Sequence, residues 1–247
     1  MASRDEIVAF VDGFLDLASY PDYGPMGLQV VGASDVRKIV CGVSASKELF
    51  ERAAAAGAQL VLVHHGLLWD RDSRVVGPGL KSRLKALFDA DLNLAAYHLA
   101  LDAHPEVGNN ALLARDLGVS PERRFVAVGF GGPLYPPCSI DELARRVQER
   151  LGRAPLAFPS GPELIRTVAV CSGGAAHHLA DAAAEGYDCF VTGEPAEPTM
   201  AAAQEAGLHF LAAGHYATET FGVRALAARL AERFGLEWEF VDLPNPV

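Results

Sequence analysis

Two stretches of this chain read as copies of one another. Arg37-Lys38-Ile39-Val40-Cys41 aligns with Arg166-Thr167-Val168-Ala169-Val170 at an offset of 129 residues, and at that offset Ala53-Ala54-Ala55-Ala56-Gly57 meets Ala182-Ala183-Ala184-Glu185-Gly186. The apolar run 60–63 then meets 189–192, and His64-His65 stands opposite Gly193-Glu194. Farther on the offset falls to 117, where His98 meets His215, Asp102 meets Glu219, and Gly118 meets Gly235 as a helix-ending glycine. The missing 12 residues fit a longer loop in the first copy, within residues 70–81. A repeat of this length predicts two halves built alike.

Within each copy, short apolar runs alternate with Ala-rich helical segments, the pattern of a layered α/β protein. The expected fold class is therefore α/β, with two similar lobes from an internal duplication: residues 1–124 first, and 125–247 second, including the connection between them. The glycines and prolines of residues 125–163 mark that crossing. Leu236-Glu237-Trp238-Glu239-Phe240-Val241 alternates like a half-exposed strand, and such a terminal segment can cross to the other lobe. Local signals add detail. Ser3 to Glu6 has capping-box spacing ahead of a stripe of Ile7, Phe10, Val11, Phe14, Leu15 and Leu17, and Ser139 to Glu142 opens a second helix to about Leu151. Residues 20–27 are rich in turn formers and lead into Leu28-Gln29-Val30-Val31.

Bulk properties exclude some functions. A formal charge of −10 argues against nucleic-acid or anionic-membrane binding, which reward excess Lys and Arg. No stretch approaches the ~18 consecutive apolar residues of a membrane span, and the N-terminus is amphipathic, without the apolar core of a signal peptide. Cys41, Cys138, Cys171 and Cys189 form no C-x-x-C pair and sit in apolar runs, as buried reduced thiols do. The expected setting is cytoplasmic.

Three apolar runs end in histidine. Residues 60–63 lead into His64-His65-Gly66, residues 92–97 into His98 with Asp102 four residues on, and residues 208–214 into His215 with Glu219 four residues on. Successive strand residues face opposite ways, so His64 and His65 can serve one centre only if the backbone leaves strand geometry, which Gly66 permits. The alternatives are a core histidine beside a capping one, Glu219 in the first turn of a helix capped by Thr218, and Asp102 as a turn residue. Taken together, however, three strand ends present imidazole or carboxylate, and crevices beyond strand ends are where such folds bind ligands. Three histidines and two carboxylates can hold two divalent ions with one carboxylate bridging. Mixed nitrogen and oxygen donors suit zinc, iron, manganese, cobalt or nickel.

Residues 58–69 (AQLVLVHHGLLW), 97–103 (YHLALDA) and 192–223 (TGEPAEPTMAAAQEAGLHFLAAGHYATETFGV) resemble the Nif-three-like family, whose members are often described as type 2 homologues of GTP cyclohydrolase I. The similarity runs from Gly27-Leu28-Gln29-Val30 almost to the C-terminus. The resemblance implies two α/β lobes with a dinuclear metal site in the cleft between them, held by His64, His65, Asp102, His215 and a bridging Glu219. It also implies His98 as a near-shell proton carrier, and a homohexamer built as a trimer of dimers. Two departures stand out: Gly24-Pro25-Met26-Gly27 where the family often has Asp-Asn before Gly-Leu-Gln, and Gly42-Val43-Ser44-Ala45-Ser46 where it often carries an Asp. Both touch substrate-facing or supporting contacts, and all five inferred ligands are kept.

Glu194 occupies the repeat position of His65 and is a candidate base or substrate contact, against the plainer reading of a solvated loop carboxylate. The turn Cys171-Ser172-Gly173-Gly174 follows a strand and could offer N–H groups to phosphate, but it lacks the P-loop pattern and reads as an ordinary strand-to-helix turn. The functional expectation is a dinuclear metal-dependent hydrolase of a small molecule, with GTP or another nucleotide as candidate and His98 or Glu194 handling protons. The competing expectation is a non-enzymatic, oligomeric metal-binding or interaction protein using the same ligands.

Overall fold

A computed structural model describes all of residues 1–247. The strands are β1 (Ala2–Ser3), β2 (Gly27–Val30), β3 (Asp35–Val36), β4 (Lys38–Ser44), β5 (Leu60–His65), β6 (Asn93–Ala96), β7 (Arg123–Phe125), β8 (Gly129–Cys138), β9 (Leu156–Phe158), β10 (Ile165–Val170), β11 (Cys189–Thr192), β12 (His209–Ala212) and β13 (Glu237–Phe240). The helices are α1 (Arg4–Phe14), α2 (Lys47–Ala55), α3 (Pro78–Asp89), α4 (Leu99–Ala103), α5 (Asn109–Asp116), α6 (Ile140–Leu151), α7 (Leu179–Ala184), α8 (Thr199–Ala206), α9 (His215–Thr218) and α10 (Thr220–Phe234). The chain divides into two compact units: Met1–Leu101 with Gly222–Leu243, and Asp102–Phe221 with Pro244–Val247.

The first unit holds a five-stranded sheet in the order β13-β4-β5-β6-β2. Strands β13, β4, β5 and β6 run parallel, and β2 closes one edge antiparallel to β6. Parallel strands are buried on both faces, which is why β5 opens with an unbroken Leu-Val-Leu-Val and β4 is buried from Ile39 to Val43. Val40, Val61, Val63 and Leu94 pack with Leu49 and Phe50 of α2 and Leu87 of α3. The second unit holds a six-stranded sheet in the order β7-β8-β10-β11-β12-β9, with β10, β11 and β12 parallel and β8 and β9 antiparallel to their neighbours. Its core joins Val168, Val170, Val191 and Leu211 to Leu113 and Leu117 and to Leu143 and Val147 of α6. The strands aligned by the repeat, β4 with β10 and β5 with β11, hold matching places in the two sheets. Gly118 and Gly235 follow α5 and α10 with φ of +85° and +65°, the left-handed geometry that stops a helix.

Two local expectations differ. Ser3 precedes α1, yet its side chain makes no capping bond, because Ser3 pairs with Asp35 in the β1–β3 ribbon and the Arg4 N–H goes to the Ser34 carbonyl at 2.8 Å. The helix also stops before Leu17, since Asp16 turns left-handed at φ +51°. The second box forms as expected: Ser139 Oγ accepts from the Glu142 N–H at 3.3 Å. No helix is long and apolar enough to cross a membrane.

Candidate metal centre

In the first unit, β5 ends at His65, and Gly66 turns the chain beneath Gln29. A Cβ at Gly66 would lie 2.3 Å from Gln29 Nε2, so a larger residue there would push the Gln29 amide aside. Gln29 fixes it from both sides, donating to the Pro25 carbonyl at 2.7 Å and accepting from the Leu67 N–H at 2.7 Å. His64 is fully buried, and its Nδ1 lies 3.1 Å from the Tyr97 carbonyl oxygen. A carbonyl only accepts, so Nδ1 carries the proton and Nε2 is the nitrogen that His64 can give a metal. Tyr97 is itself pinned, its hydroxyl donating to Asp12 at 3.1 Å, and burial followed by the Asp12 charge pushes its phenol well above the usual range. The His65 Nδ1 lies 3.0 Å from Ser44 Oγ, and the His98 Nδ1 lies 2.8 Å from Asp22 Oδ1.

The three imidazoles gather closely. Ring centroids are 4.7 Å apart for His64 and His65, 4.9 Å for His64 and His98, and 5.5 Å for His65 and His98. One nitrogen from each lies within 4.8 Å of the others. Trp69 stands edge-on to His98 at 5.1 Å. Ligating histidines characteristically donate their second ring N–H to a carbonyl or carboxylate, and His64 and His98 are both held in this way.

In the second unit, β12 gives way to α9 through Gly214, whose φ of +101° reverses the chain so that His215 opens α9. The two nitrogens of His215 have different partners. Nδ1 makes a short hydrogen bond with Glu194, and Nε2 lies 3.2 Å from Glu219 Oε1. Burial alone would lower the His215 pKa, but the bonds and charges of Glu219 and Glu194 outweigh it and raise it to about 9. Glu219 is buried, and a carboxylate oxygen of the likewise buried Asp102 lies within 4.8 Å of one of its own. Asp102 Oδ1 accepts from Asn109 Nδ2 at 2.8 Å and from Ser172 Oγ at 3.3 Å.

Glu219 does not enter the first turn of a helix capped by Thr218. It lies at the junction of α9 and α10, because the Thr218 hydroxyl donates to the His215 carbonyl at 2.8 Å and accepts from the Gly173 N–H at 3.1 Å. The turn at residues 171–174 likewise spends N–H groups on the protein: Ser172 donates to Asn110 Oδ1 at 2.6 Å and Gly173 to Thr218 Oγ1 at 3.1 Å, and Ala175 just beyond it donates to Thr192 Oγ1 at 3.2 Å. Phosphate would have to displace those bonds. His104 Nδ1 accepts from the backbone of Glu106 and Val107, and buried His209 bonds Gly161 and Pro162, both structural roles.

Two buried carboxylates side by side are costly without positive charge. The carboxylate oxygens and imidazole of the second unit form a donor set that suits a first-row divalent ion, and so, separately, do the three imidazoles of the first. Sequence reasoning missed the residues that hold these donors: Asp22, Asn109, Asn110, Ser172 and Gly173. Only Asp22 had an available signal, since the repeat pairs His98 with His215 and so invites a search for a second carboxylate at each.

The family model for Duf34/NIF3 (NGG1p interacting factor 3) matches residues 2–246. A relative from Escherichia coli K12, named GTP cyclohydrolase 1 type 2 homolog, is 45% identical over 242 residues, covering 98% of each chain. Among solved structures, protein ybgI, described as of unknown function, superposes with a TM-score of 0.97 at 44% identity over 100% of both chains. The protein TTHA1606 of Thermus thermophilus does so with a TM-score of 0.94 at 39% identity, again over 100% of both.

Proposed function

Because the chain belongs to the Duf34/NIF3 family, we propose that it is a dinuclear metal-dependent hydrolase in which His64, His65, Asp102, His215 and Glu219 hold two divalent ions. The observation that carries this reading is the anchoring of His64, a fully buried imidazole whose Nδ1 is committed to the Tyr97 carbonyl so that Nε2 is its ligating nitrogen. Glu219 is the proposed bridge. Divalent ions, when bound, polarise a substrate oxygen and let water ionise near neutral pH. The protein's own groups do the rest. Asn109 and Ser172 orient Asp102, Glu194 orients His215, and His98 carries a proton at the centre.

The substrate class is a small nucleotide-like molecule, and the name borne by the relatives makes GTP the first to test. The chain is proposed to act in the cytoplasm, where its four free, buried cysteines stay reduced, and to assemble as a hexamer six times its 26.2 kDa mass. Elemental analysis of native protein should find two ions per chain, and Glu219→Ala should lose at least one. Retention of both ions in Glu219→Ala refutes the bridge. Metal-reconstituted protein challenged with GTP, other nucleotides and phosphoesters should give a product that vanishes in Asp102→Ala. Absence of turnover with every metal shifts the reading to a metal-binding protein without catalysis, while light scattering at any mass other than six chains refutes the assembly.

A further inference from the structure

His98 is held by a residue outside every motif so far considered. Asp22 lies in the turn before β2, 76 residues from His98 in sequence, and its side chain is only 2% exposed. Its carboxylate divides its work. Oδ1 receives the His98 Nδ1 at 2.8 Å and the Tyr23 N–H at 2.6 Å, while Oδ2 receives the N–H of Leu99, the first residue of α4, at 3.0 Å. The ring of His98 makes its only hydrogen bond at that Nδ1. The backbone N–H groups of Tyr23 and Leu99 can only donate, so Asp22 must present oxygen to both. Both of its oxygens are thereby committed as acceptors, and Nδ1 must bring the proton.

We propose that Asp22 is a positioning residue that locks His98 in its Nδ1–H tautomer, leaving Nε2 as the basic nitrogen in the imidazole cluster with His64 and His65. The second unit offers an independent parallel. His215, the repeat partner of His98, also has its Nδ1 taken by a carboxylate from another loop, that of Glu194. Each unit thus supplies an acidic anchor that fixes which ring nitrogen stays basic. For His98 the consequence is directional: it enters any proton transfer as an acceptor through Nε2, and Trp69, standing edge-on at 5.1 Å, limits rotation of the ring. The functional meaning of this lock rests on the reading of His98 as a proton carrier, but the lock itself is a property of the metal-free protein.

The test reads the tautomer directly. Long-range proton–nitrogen correlation spectra of metal-free protein, with the rings neutral, should show His98 protonated at Nδ1 and bare at Nε2. In Asp22→Ala the His98 signals should shift to the Nε2–H form that an unconstrained imidazole favours, and added formate should restore Nδ1–H. His64, locked by a backbone carbonyl, is the internal control and should stay Nδ1–H throughout, which separates loss of the anchor from loss of the fold. Asp22→Ser, which keeps an oxygen but gives up the two-sided carboxylate, should behave as Asp22→Ala and serves if the alanine variant does not fold. Nε2–H in the wild-type protein, or Nδ1–H retained on His98 in either variant while His64 is unchanged, overturns the proposal. Loss of the metal reading through the experiments above leaves these spectra untouched, so the two failures are distinguishable.

Discussion

At Gly173 the backbone comes close to the proposed ligands of the second unit. A Cβ built there would lie 2.4 Å from Glu219 Oε1 and 3.2 Å from His215 Nε2, and the residue has φ of +65°. Gly173→Ala therefore meets two separable penalties. Placing an L side chain in the left-handed region costs about 1–2 kcal/mol. The close contact adds to this, because reaching ordinary separation requires the buried carboxylate to retreat by about 1 Å, and displacements of that size cost roughly 100-fold in rate at a working site. Gly186→Ala isolates the first penalty: its φ is +76° and no atom lies within 4 Å of the added Cβ. Thermal unfolding should show a loss of about 2–4 °C per kcal/mol for a chain of this size, larger in Gly173→Ala than in Gly186→Ala. Calorimetric titration with zinc should show metal affinity reduced by at least about tenfold in Gly173→Ala and unchanged in Gly186→Ala. Wild-type zinc affinity in a folded Gly173→Ala protein would refute the placement of His215 and Glu219 as ligands beside this glycine.

Three further outcomes are expected. Glu194→Ala removes the anchor of His215 Nδ1 and should lower metal affinity by about 10–100-fold, as measured by chelator competition. Ser139→Ala should cost about 1 kcal/mol in urea unfolding through loss of a formed cap, whereas Ser3→Ala should cost almost nothing because Ser3 forms none. Burial pushes the Cys41 thiol up to about 12 from an ordinary 9.0, so folding keeps a proton that the unfolded chain sheds. That contribution is fully present below pH 9 and is lost as the pH rises toward 12. Denaturation midpoints should therefore fall across this window, less steeply in Cys41→Ala.

The features that could be read from the sequence are those set by local periodicity. Leu60 to Val63 is buried on both faces of a parallel sheet and reads as an unbroken apolar run, and Ser139 and Glu142 carry their helix start in three residues of spacing. The features that escaped depend on partners distant in the chain. Ser3 looks like a cap until Asp35 arrives to pair with it. Thr218 looks like one until the Gly173 N–H, 45 residues upstream, takes its hydroxyl as acceptor. The donor histidines announced themselves at strand ends, but their anchors did not. Asp22 sits in a turn where an acidic residue is ordinary, and Asn110 looks like any polar residue of a helix until its amide is seen bonding Ser172, Asp102 and Val128.

The return of residues 222–243 to the first unit has a consequence for synthesis on the ribosome. Strand β4 acquires its parallel neighbour β13 only when Glu237 to Phe240 have been made, about 200 residues after Lys38. The N-terminal unit is begun first yet waits for residue 243, by which point all of the second unit but Pro244–Val247 has been made, a departure from the usual order in which a nascent chain completes its domains. Until then the β4 edge is open to other strands. A chain truncated anywhere before residue 237 would leave that edge bare, and such fragments should aggregate even when the intervening unit has already closed.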